Sequence, residues 1–302
     1  MDMQTTEPLS AQAPSSHFAP TPQGARLHLL HFANATSKYV PLLLTHGTFS
    51  DARIGTRLAA YLQQQGFDTW LFEWRGHGQS DLGPVEPDYE AFANVDLSTA
   101  VDFVLRRTGR SALSFVGHSA GGVLPWMYLA RHNDAARRFR GIVSLASQTT
   151  HAGRSPTMFV GLGLAWLVSN IAGRAPSKVF RLGPNDETRG LMNQWIRWNV
   201  LGRWHGHDGF DYRSKLSDVS VPALFLAGGG DRSIAPFAGI QQLYRDIGTT
   251  DKTLLHCGAR AGFRENYNHV RIIASRSAEA EIWPRISEWL QQRSALEQGI
   301  DA

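Results

Sequence analysis

One serine stands in a sequence pattern that is typical of a catalytic nucleophile. Residues 114–122 read Ser-Phe-Val-Gly-His-Ser-Ala-Gly-Gly, so Ser119 has a glycine two positions before it and another two positions after it. A serine in a strained turn between a strand and a helix needs this spacing, because a Cβ atom at Gly117 or Gly121 would crowd the adjoining elements. A serine hydroxyl is a weak nucleophile at neutral pH and needs a base that an acid orients. The pattern therefore predicts acyl transfer through Ser119 if a histidine and a carboxylate can reach it.

The carboxylate best placed to orient such a base is Asp231. It follows an apolar run, residues 221–226, and a row of glycines, an order that delivers a carboxylate at the carboxyl edge of a sheet. Asp218 precedes that run, whereas Asp208 and Asp211 fall in a different part of the chain. We therefore predict Asp231 as the acid. The alternative is that Asp231 only forms a turn.

Twelve histidines compete for the role of general base. His269 lies on a loop after the last predicted strand, in the run Arg-Glu-Asn-Tyr-Asn-His-Val, and a histidine on that loop can reach over the nucleophile. His256 falls inside or just after the strand itself. The chain order serine, acid, histidine fits both, and the loop position favours His269.

Two backbone amides are predicted to stabilise the negative charge that develops on the substrate oxygen. One belongs to Ala120, directly after the nucleophile. The other belongs to Thr48, because an apolar run over residues 42–45 leads into a His46-Gly47 turn that exposes the next amide. We interpret His46 itself as a loop histidine that hydrogen-bonds to the backbone.

Short apolar runs alternate along the chain with longer segments of helical periodicity. Apolar strands separated by helices indicate a mostly parallel sheet covered by helices, which is an α/β fold. The predicted strands span residues 27–32, 40–45, 68–72, 112–116, 141–145, 223–226 and 253–256. The predicted helices span residues 52–65, 89–107, 120–131, 236–246 and 278–292.

The alternation of strands and helices breaks once, which indicates an insertion. We predict that residues 24–150 and 213–302 form the core and that residues 151–212 form an inserted helical cap or lid. Residues 1–23 are rich in Ser, Thr, Pro, Ala and Gln and are predicted to be a flexible leader. A chain of 302 residues that is 42% hydrophobic can bury one large core.

Composition and charge argue against several other classes of protein. The formal charge of +4 comes from scattered basic residues, without the basic stripe and interleaved aromatics of a nucleic-acid binder. The single cysteine, Cys257, allows no disulfide within the chain and supplies no argument for secretion. The start of the chain lacks the apolar core of a signal peptide, and residues 158–172, the longest apolar stretch, fall short of the roughly 20 needed to span a bilayer. We expect a cytoplasmic protein without an integral membrane segment and leave its oligomeric state open.

Together these motifs resemble the α/β-hydrolase superfamily over about residues 42–290. The run Arg-Gly-His-Gly-Gln-Ser at 75–80 resembles the turn after an early strand of that superfamily. The run Ala-Asn-Val-Asp-Leu at 93–97, with the Gly-His-Ser motif, is similar to its acid-lipase and esterase branch. The resemblance implies an α/β-hydrolase fold with an inserted cap. It also implies the same site residues as the spacing: Ser119, Asp231 and His269 as catalytic triad, with Thr48 and Ala120 as oxyanion donors.

The reaction that these residues predict is hydrolysis of a carboxylic ester through an acyl-enzyme. A serine nucleophile suits acyl transfer, whereas dehalogenases and epoxide hydrolases of this fold carry aspartate at that position. No cofactor is expected, and the predicted partner is a small hydrophobic ester. The alternatives are an acyltransferase or a lyase on the same fold and, for an incomplete site, a non-catalytic binding protein.

Large apolar side chains are concentrated in residues 151–212, which predicts a hydrophobic acyl pocket under the cap. The alternative is that these side chains only attach the cap to the core. No metal site is expected, because His205, His207 and Asp208 on a loop are interpreted as solvated. The residues predicted to contact substrate are Phe49, His118, Met158, Phe159, Trp166, Trp195 and Trp198.

Overall fold

A mostly parallel sheet organises the protein, whose computed structural model describes residues 13–180 and 182–296. Eight strands of this part form one sheet and two form a small separate one. The seven predicted strands are confirmed, with bounds that differ by at most two residues. The strands are β1 (Ser15–Pro20), β2 (Arg26–Phe32), β3 (Leu42–Thr45), β4 (Thr69–Phe72), β5 (Leu113–His118), β6 (Phe139–Leu145), β7 (Arg174–Ala175), β8 (Glu187–Thr188), β9 (Ala223–Gly228) and β10 (Lys252–Cys257).

The large sheet has the strand order β1-β2-β4-β3-β5-β6-β9-β10. The strands from β4 to β10 in that order run parallel to one another, whereas β2 pairs antiparallel with both β1 and β4. Every residue of β3, β4, β5 and β9 is buried, as expected of strands covered by helices on both faces. The carboxyl ends of β3, β5, β6, β9 and β10 therefore meet at one edge. The predicted α/β-hydrolase fold class is confirmed.

The predicted flexible leader over residues 1–23 is wrong for its second half. Residues Ser15–Pro20 form β1, which pairs along its whole length with Arg26–Phe32. The backbone groups at the outer edge of β2 supply the hydrogen-bond partners, and β1 buries Ala19 in the core. Polar composition alone did not reveal a strand whose side chains are mostly exposed. Residues 1–12 lie outside the described residues.

Most of the predicted helices are present but divided. The predicted 89–107 helix contains a π turn, Phe92–Leu97, whose Asp96 is fully buried against Arg75. The helices are α1 (Thr56–Gln64), α2 (Tyr89–Ala91), α3 (Ser98–Thr108), α4 (Leu124–Arg131), α5 (Pro156–Ile171), α6 (Ser177–Phe180), α7 (Arg189–Leu201), α8 (Tyr212–Lys215), α9 (Phe237–Asp246), α10 (Arg271–Ala274), α11 (Arg276–Glu281) and α12 (Trp283–Ser294). Short 3-10 turns cover Ala52–Ile54, Ser119–Gly122, Asn133–Arg138, Ala152–Arg154, Leu216–Asp218 and Ala259–Ala261.

Residues 151–212, hereafter the 151–212 segment, contain α5, α6, α7 and the small β7–β8 sheet. The helices α5 and α7 pack against each other. The segment joins the core near α2, where Thr188 donates to the Pro87 carbonyl at 2.7 Å and Gln194 accepts from the Tyr89 amide at 3.0 Å. Within the described ranges, no helix has both the length and the apolar character that crossing a bilayer requires.

Candidate active site

Ser119 follows β5 in a left-handed backbone conformation, with a φ of 55°. This conformation is strained for a residue with a side chain and needs close support from its surroundings. A Cβ atom on Gly117 would lie 2.4 Å from the Gly121 backbone, and a Cβ atom on Gly121 would lie 2.0 Å from the His46 carbonyl oxygen. Neither site can hold a side chain without backbone movement. The spacing of the two glycines is therefore a steric requirement of this turn.

A chain of hydrogen bonds links Ser119, His269 and Asp231. The Nε2 atom of His269 lies 2.8 Å from Ser119 Oγ, and its Nδ1 atom lies 2.5 Å from Asp231 Oδ2. The structure thus brings together the three residues predicted from the sequence, from loops after β5, β9 and β10. This geometry allows the imidazole to accept a proton from the hydroxyl while its other nitrogen donates to the carboxylate.

The loops that carry Asp231 and His269 are held together through their backbones. Gly230 donates to the Tyr267 carbonyl at 2.8 Å, and a Cβ atom on Gly228 would lie 2.4 Å from that same oxygen. The glycines after β9 therefore permit the close approach of the two loops. These consecutive glycines form a turn, and they also allow the acid to lie next to the base.

Asp231 is buried but is held in its charged form. Burial alone would raise the pKa of this carboxyl group, but His269 and the amides of Ala235 and Ile234 stabilise the carboxylate. Those amides lie 3.1 and 3.2 Å from Asp231 Oδ1. The net effect holds the pKa of Asp231 below its ordinary value. An ionised carboxylate keeps the His269 proton on Nδ1, so that Nε2 is free to accept.

His118 is buried behind His269 and does not line the cavity beside Ser119. Its Nε2 atom donates to the backbone carbonyl of His269 at 2.7 Å. Burial, together with the neighbouring His269 ring, lowers the pKa of His118 to about 3. This last residue of β5 thus supports the loop that carries the base, and its contact with substrate stays a prediction.

The two predicted oxyanion donors lie on either side of Ser119 and line the same cavity. Ala120 is the second residue of the Ser119–Gly122 turn, where a backbone N–H has no partner within the helix. Thr48 follows Gly47, whose added Cβ atom would lie 2.6 Å from Ser119 Cβ, so the loop after β3 passes directly against the serine. The Thr48 amide has no hydrogen-bond partner in the described part of the chain. The role of both amides as oxyanion donors stays a prediction.

The cavity beside Ser119 has a volume of about 30 Å³. That is room for one or two water-sized groups and is far too small for an acyl chain. Its walls come from the core and from α7 of the 151–212 segment. The lining residues are Thr48, Tyr89, Ser119, Ala120, Val123, Ala146, Gln148, Trp195, Trp198, Ile234, Ala235 and His269.

Two of the seven predicted substrate residues line this cavity, and the other five, His118 among them, do not. Trp195 and Trp198 line it from α7, whereas Phe49 is buried in the core. Phe159 and Trp166 are about half exposed, at 51% and 48%, and flank a separate groove between α5 and α7. Met158 lines neither space. Helix α7, and not α5, lines the cavity beside Ser119, and substrate contact by Phe49, Met158, Phe159 and Trp166 stays a prediction.

Sequence reasoning missed the lining residues Tyr89 and Gln148. Gln148 follows β6, so the rule that side chains after parallel strands meet at one edge could have found it. Its amide is fixed by the Ile234 carbonyl at 2.9 Å and by Asn199 of α7 at 3.1 Å. Tyr89 had no such signal, since it stands at the start of a helix that is distant from Ser119 in the sequence.

One group of side chains has the spacing of metal ligands, away from Ser119. Ligand atoms of Asp88, Glu90 and His207 lie within 4.8 Å of one another. His207 lies 2.8 Å from Asp88, while Glu90 accepts hydrogen bonds from Arg131 at 2.6 Å and from Tyr212 at 2.7 Å. Protein partners thus already surround these carboxylates.

The fold and this site place the chain in a family. A family model described as "alpha/beta hydrolase fold" matches residues 40–195, more than half of the chain, and the chain belongs to that family. The match includes Ser119 and ends before Asp231.

Among curated proteins, the poly(3-hydroxyalkanoate) polymerase subunit PhaC of Haloferax mediterranei is 24% identical over 91% of this chain and 63% of its own length. Human lipase member K is 31% identical over 31% of this chain and 26% of its own length. The chain thus spans less than two thirds of either relative. A solved structure, a soluble variant of monoglyceride lipase from Saccharomyces cerevisiae with a substrate analogue, has a TM-score of 0.71 at 16% identity and covers 96% of this chain and 99% of its own. That similarity shows the fold.

Proposed function

We propose that the protein is a serine hydrolase that cleaves carboxylic esters with a hydrophobic acyl group. The observation that carries the proposal is the hydrogen-bond chain from Ser119 Oγ through His269 to Asp231, at 2.8 and 2.5 Å. The names of the lipase relatives agree with this chemistry. In this proposal Ser119, His269 and Asp231 are the catalytic triad.

The proposed reaction has two halves. Ser119 Oγ attacks the ester carbonyl carbon while its proton passes to His269 Nε2, and the oxyanion rests on the Thr48 and Ala120 amides. The tetrahedral intermediate collapses, and the leaving alcohol takes the proton from His269. Water then attacks the acyl-enzyme and gives a proton to His269, and collapse releases the acid and returns that proton to Ser119 Oγ.

The 151–212 segment acts as the cap in this proposal. Trp195 and Trp198 form its apolar wall over Ser119. Because the space beside Ser119 is about 30 Å³, an acyl chain enters only if this wall moves away from the core. The proposed cap therefore opens for substrate and closes for reaction.

A second candidate is acyl transfer to a hydroxyl acceptor other than water. The polymerase subunit matches 91% of this chain, and a polyester grows by transfer of acyl groups to hydroxyls. Both reactions share the acyl-enzyme and differ in what attacks it. Adding a short alcohol during ester cleavage separates them: an acyltransferase produces mainly the new ester, and a hydrolase produces mainly the free acid.

The test of the proposal is cleavage of nitrophenyl esters of increasing acyl length. Ser119→Ala should lower turnover by roughly 10³-fold or more without unfolding the chain, since the hydroxyl makes little packing contact. Thermal unfolding of the variant checks that the fold remains. Retention of a tenth of the wild-type turnover would contradict the assignment of Ser119.

A fluorophosphonate provides the matched test of the base. It should label one site, Ser119, and His269→Ala should suppress the labelling, because an unassisted hydroxyl reacts slowly. His256→Ala is the control and should leave most of the labelling. Equal labelling of the two variants would reject His269 as the base.

A further inference from the structure

One buried carboxylate of the 151–212 segment reaches into the core beside the proposed oxyanion hole. Glu187 lies in β8 and is 1% exposed. Its Oε1 atom accepts a hydrogen bond from the Phe49 amide and lies 3.1 Å from His77 Nε2. Phe49 follows Thr48 directly. The carboxylate of Glu187 is therefore hydrogen-bonded to the amide of the residue after a proposed oxyanion donor.

The loop that Glu187 holds is in a strained conformation. Phe49 has a φ of 61°, in the left-handed region that a large side chain rarely adopts. Such a conformation persists only where the surroundings hold it. The peptide that carries the Phe49 amide is separated from the Thr48 amide by only the two backbone dihedrals of Thr48, so holding it restricts where the Thr48 amide can point.

The same part of the 151–212 segment holds this loop at further points. The Asn185 amide donates to the Phe49 carbonyl at 3.2 Å, and Asn185 Nδ2 donates to the Ser50 carbonyl at 2.9 Å. Gly183 lies so close that a Cβ atom on it would be 2.0 Å from the Phe49 oxygen. Residues 183–187 and the loop after β3 therefore form a close backbone contact.

His77 fixes the carboxylate of Glu187 from the core side. The buried imidazole lies 3.1 Å from the Arg75 carbonyl through Nδ1 and faces Glu187 through Nε2. Burial opposes the charge on His77, but the Glu187 carboxylate, together with the Arg75 carbonyl and Asp96, outweighs it and raises the pKa of His77. The other carboxylate oxygen of Glu187 is buried without a partner in the described ranges. His77 and the Phe49 amide are therefore the groups that keep Glu187 in place.

Glu187 is also connected to the wall of the cavity. The next residue, Thr188, caps α7 by accepting from the Leu191 amide at 3.1 Å. The same helix carries Trp195 and Trp198, which cover Ser119. A displacement of α7 would therefore act on Glu187 and on the loop that it holds.

We propose that Glu187 is a positioning residue through which the 151–212 segment completes the oxyanion hole: it holds the Phe49 amide and so aims the Thr48 amide at the reacting carbonyl. This inference rests on the proposed function. With the segment closed, the Thr48 amide is in place and the acyl transfer is fast. With α7 displaced, the strained loop loses its support and Ser119 faces an ester without one of its two oxyanion donors.

The test compares Glu187→Ala, Glu187→Gln and the control Asp186→Ala in the full chain. Asp186 is the exposed neighbour in the same segment and accepts from the Ser177 amide at 2.8 Å, so its variant disturbs the segment and not the oxyanion loop. Glu187→Ala should lower kcat by roughly 10- to 100-fold, with KM within a few-fold, because a misaimed donor acts on the transition state. Glu187→Gln keeps an oxygen acceptor for the Phe49 amide and should recover most of the loss.

Two inhibitors separate positioning from folding. A trifluoromethyl ketone adds to Ser119 and places an oxyanion in the hole, whereas the matching ether has no carbonyl. In Glu187→Ala the affinity for the ketone should fall by the same factor as kcat/KM, and the affinity for the ether should stay unchanged. Thermal unfolding is measured for each variant.

Three outcomes overturn the inference. The first is Glu187→Ala with wild-type kcat, and the second is a loss of affinity for the ether as large as that for the ketone. The third is a loss of kcat in Glu187→Gln that is as large as the loss in Glu187→Ala. If instead the wild type cleaves no ester, or Ser119→Ala cleaves as well as the wild type, the proposed function itself fails.

Discussion

The sheet edge around Ser119 and helix α5 of the 151–212 segment are built in opposite ways. At the edge, glycines bring backbones together, so that a Cβ atom on Gly121 would lie 2.0 Å from the His46 oxygen. In α5, a Cβ atom on Gly161 or Gly163 would meet nothing within 4 Å. The edge holds the reacting groups through close packing, whereas α5 has open space at its two glycines.

The two regions also use apolar side chains differently. Ten of the fourteen exposed large hydrophobic side chains in the described residues lie in the 151–212 segment, so its apolar composition is divided between two faces. The inner face carries Trp195 and Trp198 over the cavity, and the outer face exposes Phe159 and Trp166. A high content of apolar residues therefore indicates an apolar surface, but it does not tell which of the side chains contact a substrate.

The largest effect should come from a carboxylate at the sheet edge. Asp231→Asn should lower turnover by roughly 10²- to 10⁴-fold, because the amide favours the wrong tautomer of His269. Asp211→Asn is the control in the 151–212 segment, where Asp211 caps α8 and lies 3.8 Å from His205, away from the triad. Steady-state turnover on one nitrophenyl ester measures both variants. A larger loss for Asp211→Asn would reject Asp231 as the orienting acid.

Glycine substitutions should separate the two regions through stability. Gly121→Ala should lower the free energy of unfolding by about 3 kcal/mol or more, because the new methyl group overlaps the His46 backbone. Gly161→Ala in α5 should raise it by about 0.5–1 kcal/mol, because alanine favours a helix and has open space. Urea unfolding monitored by circular dichroism measures both. Equal effects of the two changes would remove the contrast between edge and segment.

The smallest effect should concern substrate choice. Each further methylene that the acyl pocket buries contributes about 0.8 kcal/mol, so kcat/KM should rise roughly fourfold per carbon until the pocket is full. Trp195→Ala should move the optimum toward longer or bulkier acyl groups and leave acetyl ester turnover within a few-fold. A chain-length series of nitrophenyl esters measures this shift.

Trp166→Ala is the matched control for the acyl series. It removes the same side chain from the outer face of the segment, where Trp166 is 48% exposed, and should leave the optimum unchanged. A flat chain-length profile in the wild type would mean that the tryptophans of α7 serve packing alone.

Parts of the fold and site that depend on short stretches of chain could be predicted. Buried strands such as β5 and β9 are apolar runs that end in glycines, and this pattern is visible in any single sequence. Edge strand β1 was missed because most of its side chains are exposed and its partner is another strand. Helix periodicity does not tell which of two helices faces the core, so the sequence does not separate Trp195, which lines the cavity, from Met158 and Trp166, which do not.

Local patterns suffice for Ser119, because the strained turn imposes glycines within two residues of it. The same holds for Asp231, since a carboxylate after a buried parallel strand must appear at the shared edge of the sheet. Only the folded chain decides that Glu187 supports the Phe49 amide, since 138 positions separate these residues. A contact of this kind depends on how the 151–212 segment returns to the core, and no short-range preference of the residues around Glu187 encodes that path.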